Sequence, residues 1–307
     1  TLSIVGATLF GTDFRNGTEQ ISKVLQRVVH KAAWLVPAVS VFEPVVTTYR
    51  RIKPHGRSLF FPTERARLEE IVAPIIAARR KSGQRDILSL ILNQRDDAAA
   101  PLTDEDVRNE LVTFVLAGYE TTATALTWTW YLLAQYPAVA ARMRQELDQV
   151  LSGRIPTLED VPRLSYTANV FKEAMRLYPP VLLFARRPKA RLQFAGYEMT
   201  RGESIFISPY VTQRNPRYFE RPDAFEPERW ENSNIPKFAY FPFGGGAKMC
   251  IGEPFARMEG LLVLATLAQN WRLERTDETS VGIRSGTVLD FDKPVMMKPV
   301  RVSAAVV

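Results

Sequence analysis

The chain has 307 residues, of which 46% are hydrophobic and 24% charged, so its composition excludes an intrinsically disordered protein. The net charge of +7 suits an acidic partner, but no lysine-rich tail or nucleic-acid-binding signature accompanies it, so we expect no nucleic acid partner. No apolar run reaches the ~18 residues of a membrane span, and one cysteine excludes an internal disulfide.

The N-terminal third is predicted to be helical. "TLSIVGATLFG" is patterned as a buried element from residue 1, without a methionine or a signal peptide, which indicates a trimmed start or a fragment. Apolar spacing predicts helices over 17–36 and 63–83. Between them, 47–65 is basic and apolar together. This segment is predicted as a solvated loop, with a mobile lid or a membrane-contacting patch as the alternative.

A long helix is predicted to begin at Thr103. Asp106 follows three residues later, as in a capping box, and no proline interrupts the chain until Pro137. About 32 residues at ~1.5 Å each give a helix about 48 Å long. Its middle, "LAGYETTATAL", carries a glycine, an acid and threonines where a core helix would be aliphatic.

The remaining chain alternates helices with short strands. Helices are predicted over 138–151, 164–178 and 253–269, and strand-like pieces over 191–200 and 202–211, with a strand-like tail. Residues 214–243 are rich in proline and aromatic residues and are predicted to be irregular. Because no repeat, low-complexity tract or linker is present, residues 1–307 are predicted to form a single domain.

The lone thiol, Cys250, lies in "FPFGGGAKMCIG", between a glycine-rich loop and a predicted helix. A buried structural cysteine is the commoner fate of such a residue. However, glycines let backbone amide groups turn toward one point, and a helix start adds a positive dipole. Both effects favour the thiolate.

A thiolate can attack a substrate or bind a soft metal. A nucleophilic cysteine needs a base, and the only histidines, His30 and His55, lie far away in the sequence. A structural zinc site needs about four ligands, and no second cysteine is present. A single thiolate is enough as the axial ligand of a haem iron, so this interpretation is favoured over a nucleophilic Cys250.

The same stretch resembles the haem-binding signature of the cytochrome P450 monooxygenases, with Phe243, Gly246, Cys250 and Gly252 at the matching spacing. The resemblance implies that Cys250 is the axial ligand of the iron and that Phe243 packs beside the sulfur. Lys248 departs from the arginine or histidine usual in the family, but it can bind a haem propionate as a point charge. The cofactor-binding residues implied are Cys250, Phe243, Gly244, Gly246, Lys248, Gly252, Arg186 and Ala117.

Two further motifs follow the order of the family. "KEAMRLYPP" carries Glu173 and Arg176, a spacing that alone indicates an exposed ion pair worth ~0.2–0.5 kcal/mol. The resemblance implies instead a buried pair, completed by Arg229 of "FEPERW", that is structural. By its spacing from Pro179, Arg186 is the residue that the resemblance implies to bind a haem propionate. Arg187 is the alternative for this role.

The third motif is "AGYETT" in the long helix, which resembles the oxygen-binding stretch of the family. A threonine inside a helix ordinarily bonds back to a carbonyl of the preceding turn. Gly118 weakens the helix, and a local opening there would admit O2 and water. The resemblance implies that Thr121 and Glu120 are catalytic and deliver protons. The substrate-lining residues implied are Leu116, Val181, Leu182 and Phe184.

Together these motifs predict a mainly α protein with small β-sheets, having the cytochrome P450 fold without its N-terminal portion. The implied function is a haem b monooxygenase that inserts one oxygen atom from O2 into a hydrophobic small molecule. The alternative is a catalytically silent fragment or haem-binding module. A cytoplasmic, bacterial-like location is expected, and an N-terminal membrane anchor outside this sequence stays open.

Electrons are expected to come from another protein. No G-x-G-x-x-G motif is present for a flavin or nicotinamide, so a ferredoxin or flavoprotein reductase is implied. Lys237, Lys248 and Arg257 flank the cysteine loop and would meet an acidic redox protein there. Generic surface charge is the alternative explanation of these three residues.

Overall fold

A computed structural model describes residues 1–11, 62–83, 85–95, 100–201, 203–231, 234–276, 281–286 and 288–302. The helix predicted over 17–36, both histidines and most of the segment 47–65 lie outside these residues. The chain divides into two compact units, Thr1–Glu120 and Thr121–Val307. The single domain over 1–307 stays a prediction.

The first unit is helical in its described residues. The predicted buried element at its start is confirmed as a helix in which Leu2 and Val5 are buried. A short helix after Asp86 was not predicted, although Asp86 and Ser89 cap it reciprocally, with Ser89 N donating to Asp86 Oδ1 at 2.8 Å. The helices of this unit are α1 (Leu2–Phe10), α2 (Pro62–Ser82), α3 (Ile87–Leu92) and the first part of α4 (Asp104–Gln135).

The long helix α4 is confirmed, with 32 residues. Thr103 N donates to Asp106 Oδ2 at 3.0 Å, and Asp106 N donates to Thr103 Oγ1 at 3.2 Å. Two donors of the first turn are thereby satisfied, as the capping-box pattern predicted. Since the boundary between the two units falls after Glu120, α4 carries the chain from the first unit into the second.

The second unit combines helices with two-stranded antiparallel sheets, which confirms the predicted mainly α class. Its helices are the rest of α4, α5 (Pro137–Leu151), α6 (Ser165–Leu177), α7 (Pro209–Thr212) and α8 (Glu253–Ala268), with 3-10 turns at Leu158–Arg163, Pro227–Trp230 and Gly246–Lys248. Its strands are β1 (Phe184–Arg186), β2 (Leu192–Phe194), β3 (Tyr197–Met199), β4 (Ile205–Ile207), β5 (Trp271–Arg275), β6 (Ile283–Ser285), β7 (Leu289–Phe291) and β8 (Met297–Arg301). The pairs are β1–β4, β2–β3, β5–β8 and β6–β7.

The core of the second unit lies between α4, α5, α6 and α8. Gly260 of α8 faces Phe171 of α6 so closely that a Cβ built on the glycine would lie 2.3 Å from the ring. The two helices therefore need a glycine at this point. The buried core residues include Leu126, Leu133, Met143, Leu147, Val170, Phe171, Ala174, Leu261, Leu264 and Ala265.

One predicted strand is partly helical. Residues 191–200 form the hairpin β2–β3, but in 202–211 only Ile205–Ile207 is a strand. Ser208 then caps α7, accepting a hydrogen bond from Val211 N at 3.3 Å. Proline at the first helical position, here Pro209, is preset for a helix, so the apolar "PYV" that read as strand turns into a helix.

Candidate functional site

The cysteine loop, residues 241–252, is closed by backbone hydrogen bonds. Cys250 N donates to Phe243 O at 3.0 Å, and Met249 N donates to Gly246 O at 3.0 Å. Gly244 and Gly246 have φ angles of 75° and 72°, in the left-handed region that favours glycine. The predicted shaping of this loop by glycine is therefore confirmed at these two positions.

The thiol of Cys250 is free and exposed. On either side of it, Met249 is 53% and Ile251 83% exposed, so apolar surface surrounds the sulfur. Helix α8 begins three residues later, with Gly252 at its N-cap. An exposed thiol between exposed apolar side chains fits a flat apolar group with a metal at its centre, and these residues therefore fit a haem.

Below this loop, Glu173 and Arg176 form an ion pair whose side chains are both 0% exposed. Arg176 Nε and Nη2 donate to the two carboxylate oxygens at 2.9 and 2.8 Å. Arg229 Nε donates to Glu173 Oε1 at 2.8 Å, and Trp230 Nε1 donates to Oε2 at 2.9 Å. The structure thus brings the three predicted structural residues together and adds Trp230 to them. A position under a haem stays a prediction.

The remaining donors of Arg176 hold irregular chain in place. Nη1 donates to the carbonyl oxygens of Gln213 and Pro222 at 2.8 and 2.6 Å, and Nη2 donates to Ala224 O at 2.9 Å. All five N–H groups of the guanidinium are therefore used. A buried charge is tolerated when it is paired and hydrogen-bonded, as here.

Gln213, which was not predicted, connects this ion pair to the cysteine loop. Its side chain is fully buried, and Nε2 donates to the carbonyl oxygens of Met175 and Arg176 at 3.1 and 3.0 Å. Its Oε1 accepts a hydrogen bond from Phe241 N at 2.9 Å, at the first residue of the loop. No sequence motif marks Gln213, because its side-chain partners are backbone atoms of distant segments.

A cavity of about 330 Å³ opens beside the cysteine loop. Lys172 Nζ lies 3.9 Å from the centroid of the Trp230 ring and 5.5 Å from that of Tyr240. Burial lowers the pKa of Lys172, and the neighbouring charge of Arg257 acts in the same direction. The cavity is lined by Lys172, Trp230, Ile235, Pro236, Lys237, Phe238, Tyr240, Phe241, Pro242, Phe243, Gly244, Met249, Glu253 and Arg257.

Two of the cavity residues, Phe243 and Arg257, contact each other, and Phe243 is a predicted cofactor-binding residue. The ring of Phe243 is half-buried against the core, and the guanidinium carbon of Arg257 lies 4.9 Å from its centroid. Arg257 is paired with Glu253 in the first turns of α8. Lys248 is exposed at the end of its 3-10 turn.

The stretch "AGYETT", which was predicted to bind oxygen, lies within the helix α4. Gly118 lets α1 approach, since a Cβ on it would lie 3.3 Å from Val5 Cγ2. The local opening of α4 at Gly118 stays a prediction. Leu116, Glu120 and Thr121 are half-buried, and Ala117 is exposed.

In the segment after Pro179, Phe184–Arg186 forms the strand β1, and the residues before it are irregular. Its residues Val181, Leu182 and Phe184 are half-buried. Phe184 reaches the cysteine loop, where a Cβ built on Gly244 would lie 3.4 Å from its Cζ. A predicted substrate residue and a predicted cofactor residue are therefore in contact.

The two candidate arginines for a propionate have different partners. Arg186 Nη1 donates to Ala185 O at 2.9 Å, whereas Arg187 Nε donates to Ser204 Oγ at 3.1 Å. Side chains alternate along a strand, so Arg186 shares its face with Phe184, and Arg187 falls on the other face.

Comparison with known proteins identifies the family. Residues 1–298 match the family model described as Cytochrome P450, and the chain belongs to this family, whose cofactor is a haem iron. The chain is 40% identical over 223 residues to "Cyclooctatin synthase" of Streptomyces melanosporofaciens, covering 70% of this chain and 49% of that protein.

Two other relatives are similar. "Cyclooctat-9-en-7-ol 5-monooxygenase" of Streptomyces melanosporofaciens is 33% identical over 288 residues, 91% of this chain and 61% of that protein. "Pentalenene oxygenase" of Streptomyces avermitilis is 38% identical over 199 residues, 64% of this chain and 44% of that protein. The chain thus spans about half the length of the curated relatives it matches. Among its described residues, no helix is long and apolar enough to cross a membrane.

Replacing Glu173 by glutamine is expected to lower the free energy of unfolding by about 3–5 kcal/mol, because it leaves Arg176 buried without its counter-charge. The matched control is Glu274→Gln, which removes a carboxylate from an exposed pair with Arg272 and is expected to cost about 1 kcal/mol or less. Denaturant unfolding of the three proteins measures both changes. Equal losses in the two variants would contradict a supporting role of the buried pair.

Proposed function

We propose that the chain is part of a haem-dependent monooxygenase that inserts one oxygen atom from O2 into a hydrophobic small molecule. The observation that carries the proposal is the exposed free thiol of Cys250, held in a glycine-turned loop and flanked by exposed apolar side chains. When bound through this thiolate, haem b supplies the iron chemistry that activates O2. The relatives named as a monooxygenase and an oxygenase support this function.

The residues proposed to hold the haem lie on the loop and on β1. Cys250 binds the iron, and Phe243 packs beside the sulfur. Lys248 and Arg186 bind the propionates, and the contact of Phe184 with Gly244 supports Arg186 over Arg187, because Phe184 and Arg186 share one face of β1. Gly246 and Gly252 let the loop approach the porphyrin.

The stretch "AGYETT" of α4 is proposed to carry the residues that handle oxygen. Ala117 presents a small side chain there, and Glu120 and Thr121 hold and deliver protons. Because Glu120 and Thr121 are half-buried, water exchanges with them less freely than with surface groups. Proton delivery by positioned side chains is a general means of accelerating such reactions.

The substrate is proposed to be a hydrophobic small molecule. Leu116, Val181, Leu182 and Phe184 are the proposed wall residues, and apolar walls with few polar groups are typical of ligand pockets. The names of two relatives state pentalenene and cyclooctat-9-en-7-ol. These names support a small-molecule substrate and provide probes for turnover.

The electron donor is proposed to be an acidic ferredoxin or flavoprotein reductase that docks beside the cysteine loop. Lys237 is exposed, and the Arg257 side chain is 38% exposed, next to the cavity that Lys172 and Trp230 line. Complementary charge raises the rate of association between proteins. A reducing compartment suits the unpaired Cys250, which supports a cytoplasmic location.

The reduced chain with carbon monoxide is expected to show a strongly red-shifted Soret band, because a thiolate donates electron density to the iron. Cys250→Ser is expected to lose that shift while keeping the fold, since serine is nearly isosteric. Absorption spectra of both haem-reconstituted proteins measure the effect. Absence of haem uptake would favour the catalytically silent fragment, and a normal Soret position in the unsubstituted chain would exclude thiolate ligation.

Thr121→Ala is expected to release hydrogen peroxide instead of product, because the proton-delivering hydroxyl is lost. The control is Thr127→Ala on the same helix, whose exposed hydroxyl donates only to Ala123 O at 2.8 Å. Peroxide formed per NAD(P)H consumed is measured with pentalenene as the probe. An unchanged ratio in Thr121→Ala would refute the proton-delivery role.

Lys237→Glu is expected to slow electron transfer from an acidic ferredoxin and to weaken the salt dependence of that rate, since a rim charge acts on association. The control is Lys298→Glu in β8, which makes the same change of net charge at an exposed lysine that does not line the cavity. Stopped-flow reduction of the haem at several salt concentrations measures both. Equal slowing in the two variants would indicate generic surface charge.

A further inference from the structure

Glu259 of α8 is a buried carboxyl group in the second unit. Glu259 is 4% exposed, and neither its Oε1 nor its Oε2 has a hydrogen-bond partner among the residues that the structure describes. No ion pair of the described residues includes it either. Buried carboxylates are normally paired and hydrogen-bonded, so this group calls for an explanation.

The packing of α8 prevents Glu259 from turning toward solvent. The next residue, Gly260, is held against Phe171, where even a Cβ would overlap with the ring. Leu261 and Leu264, on the following turn, are 4% and 0% exposed. Rotating α8 to expose Glu259 would disrupt these contacts, so the carboxyl group stays inside.

The surroundings of Glu259 favour its uncharged form. Burial raises its pKa to about 7, while the positive charge of the N-terminal amino group and then the Thr122 hydroxyl act in the opposite direction. Neither carboxyl oxygen has a hydrogen bond of normal geometry in the described residues. On α6, the helix packed against α8 at Gly260, Glu173 and Arg176 bind each other, and Lys172 lies over the Trp230 ring.

Thr122 connects this group to the proposed catalytic stretch. It is 4% exposed in α4 and directly follows Thr121. A protonated carboxyl group has one O–H donor, and a threonine hydroxyl has acceptor lone pairs. A small side-chain adjustment therefore gives the unpartnered carboxyl group a hydrogen bond to the Thr122 hydroxyl.

We propose that Glu259 is a carboxylic acid in the resting protein and a positioning residue for Thr121. Its O–H donates a hydrogen bond to the Thr122 hydroxyl and thereby fixes the turn of α4 that carries Thr121. The inference about Thr121 rests on the proposed function. The protonated state of Glu259 does not, because it follows from packing within the second unit.

Two variants test the proposal. Glu259→Gln keeps the size of the side chain and an N–H donor, so it is expected to retain the low peroxide release of the unsubstituted protein with pentalenene as the probe. Glu259→Met keeps the approximate volume without a donor and is expected to raise peroxide release toward the level of Thr121→Ala. Loss of coupling in both variants, or in neither, would overturn the positioning role.

The protonated state is measured without turnover. Infrared spectra of the full chain at about pH 6, below the pKa of about 7, are expected to contain the C=O stretch of a protonated carboxyl group, which both variants lose. Absence of this band would overturn the inference whatever the spectrum with carbon monoxide shows. Conversely, a failed carbon monoxide test with the band present would overturn the proposed function alone.

Unfolding at different pH values provides an independent measurement. Because the pKa is about 7 in the folded chain against an ordinary 4.5, the unfolded chain gives up its proton first as the pH rises. The stability of the unsubstituted protein relative to Glu259→Gln is therefore expected to fall between pH 4.5 and 7 and to level off above it. A difference that does not change with pH would contradict a protonated Glu259.

Discussion

The buried ion pair of Glu173 and Arg176 is the interaction on which the rest of the second unit depends. Two charges without solvent are tolerated only if every donor and lone pair near them is used, and here the guanidinium uses all five N–H groups. Three of these bonds go to backbone carbonyls between 213 and 224. Hydrogen bonds from the buried Arg176 guanidinium therefore hold residues 213–224 in place, although this segment lacks regular secondary structure.

That constraint reaches the cysteine loop through Gln213. Its amide bonds the end of α6 on one side and the backbone of Phe241 on the other, so the loop begins at a fixed point. Glycine turns and the bond from Cys250 N to Phe243 O then determine the course of the loop. The position of the Cys250 thiol thus depends on contacts that link Glu173 in the core, through Arg176 and Gln213, to the start of the cysteine loop.

Local chemistry explains which features were predictable from the sequence. The capping pair Thr103 and Asp106, the glycines around Cys250 and the apolar periods of α5, α6 and α8 act over a few residues, so the elements and the loop were found. The network of Glu173 followed from a family resemblance, since its spacing alone indicates an exposed pair.

Contacts between distant residues explain what was missed. The contact of Gly118 with Val5, and that of Gly260 with Phe171, join positions that no local pattern relates. Gln213 and Glu259 look like ordinary polar residues until the backbone around them is folded. The apolar "PYV" was predicted as strand because of its composition. It forms a helix instead, because capping by Ser208 outweighs that composition.

The indole of Trp230 contacts both a buried carboxylate and a lysine that lines the cavity. Its N–H is bonded to Glu173 in the core, while its ring face lies under the ammonium of Lys172 in the open cavity. A single aromatic ring therefore separates a buried anion from a half-buried cation that lines the cavity beside the cysteine loop. The charge on Lys172 therefore contributes to the electric field on a ring that is anchored in the interior.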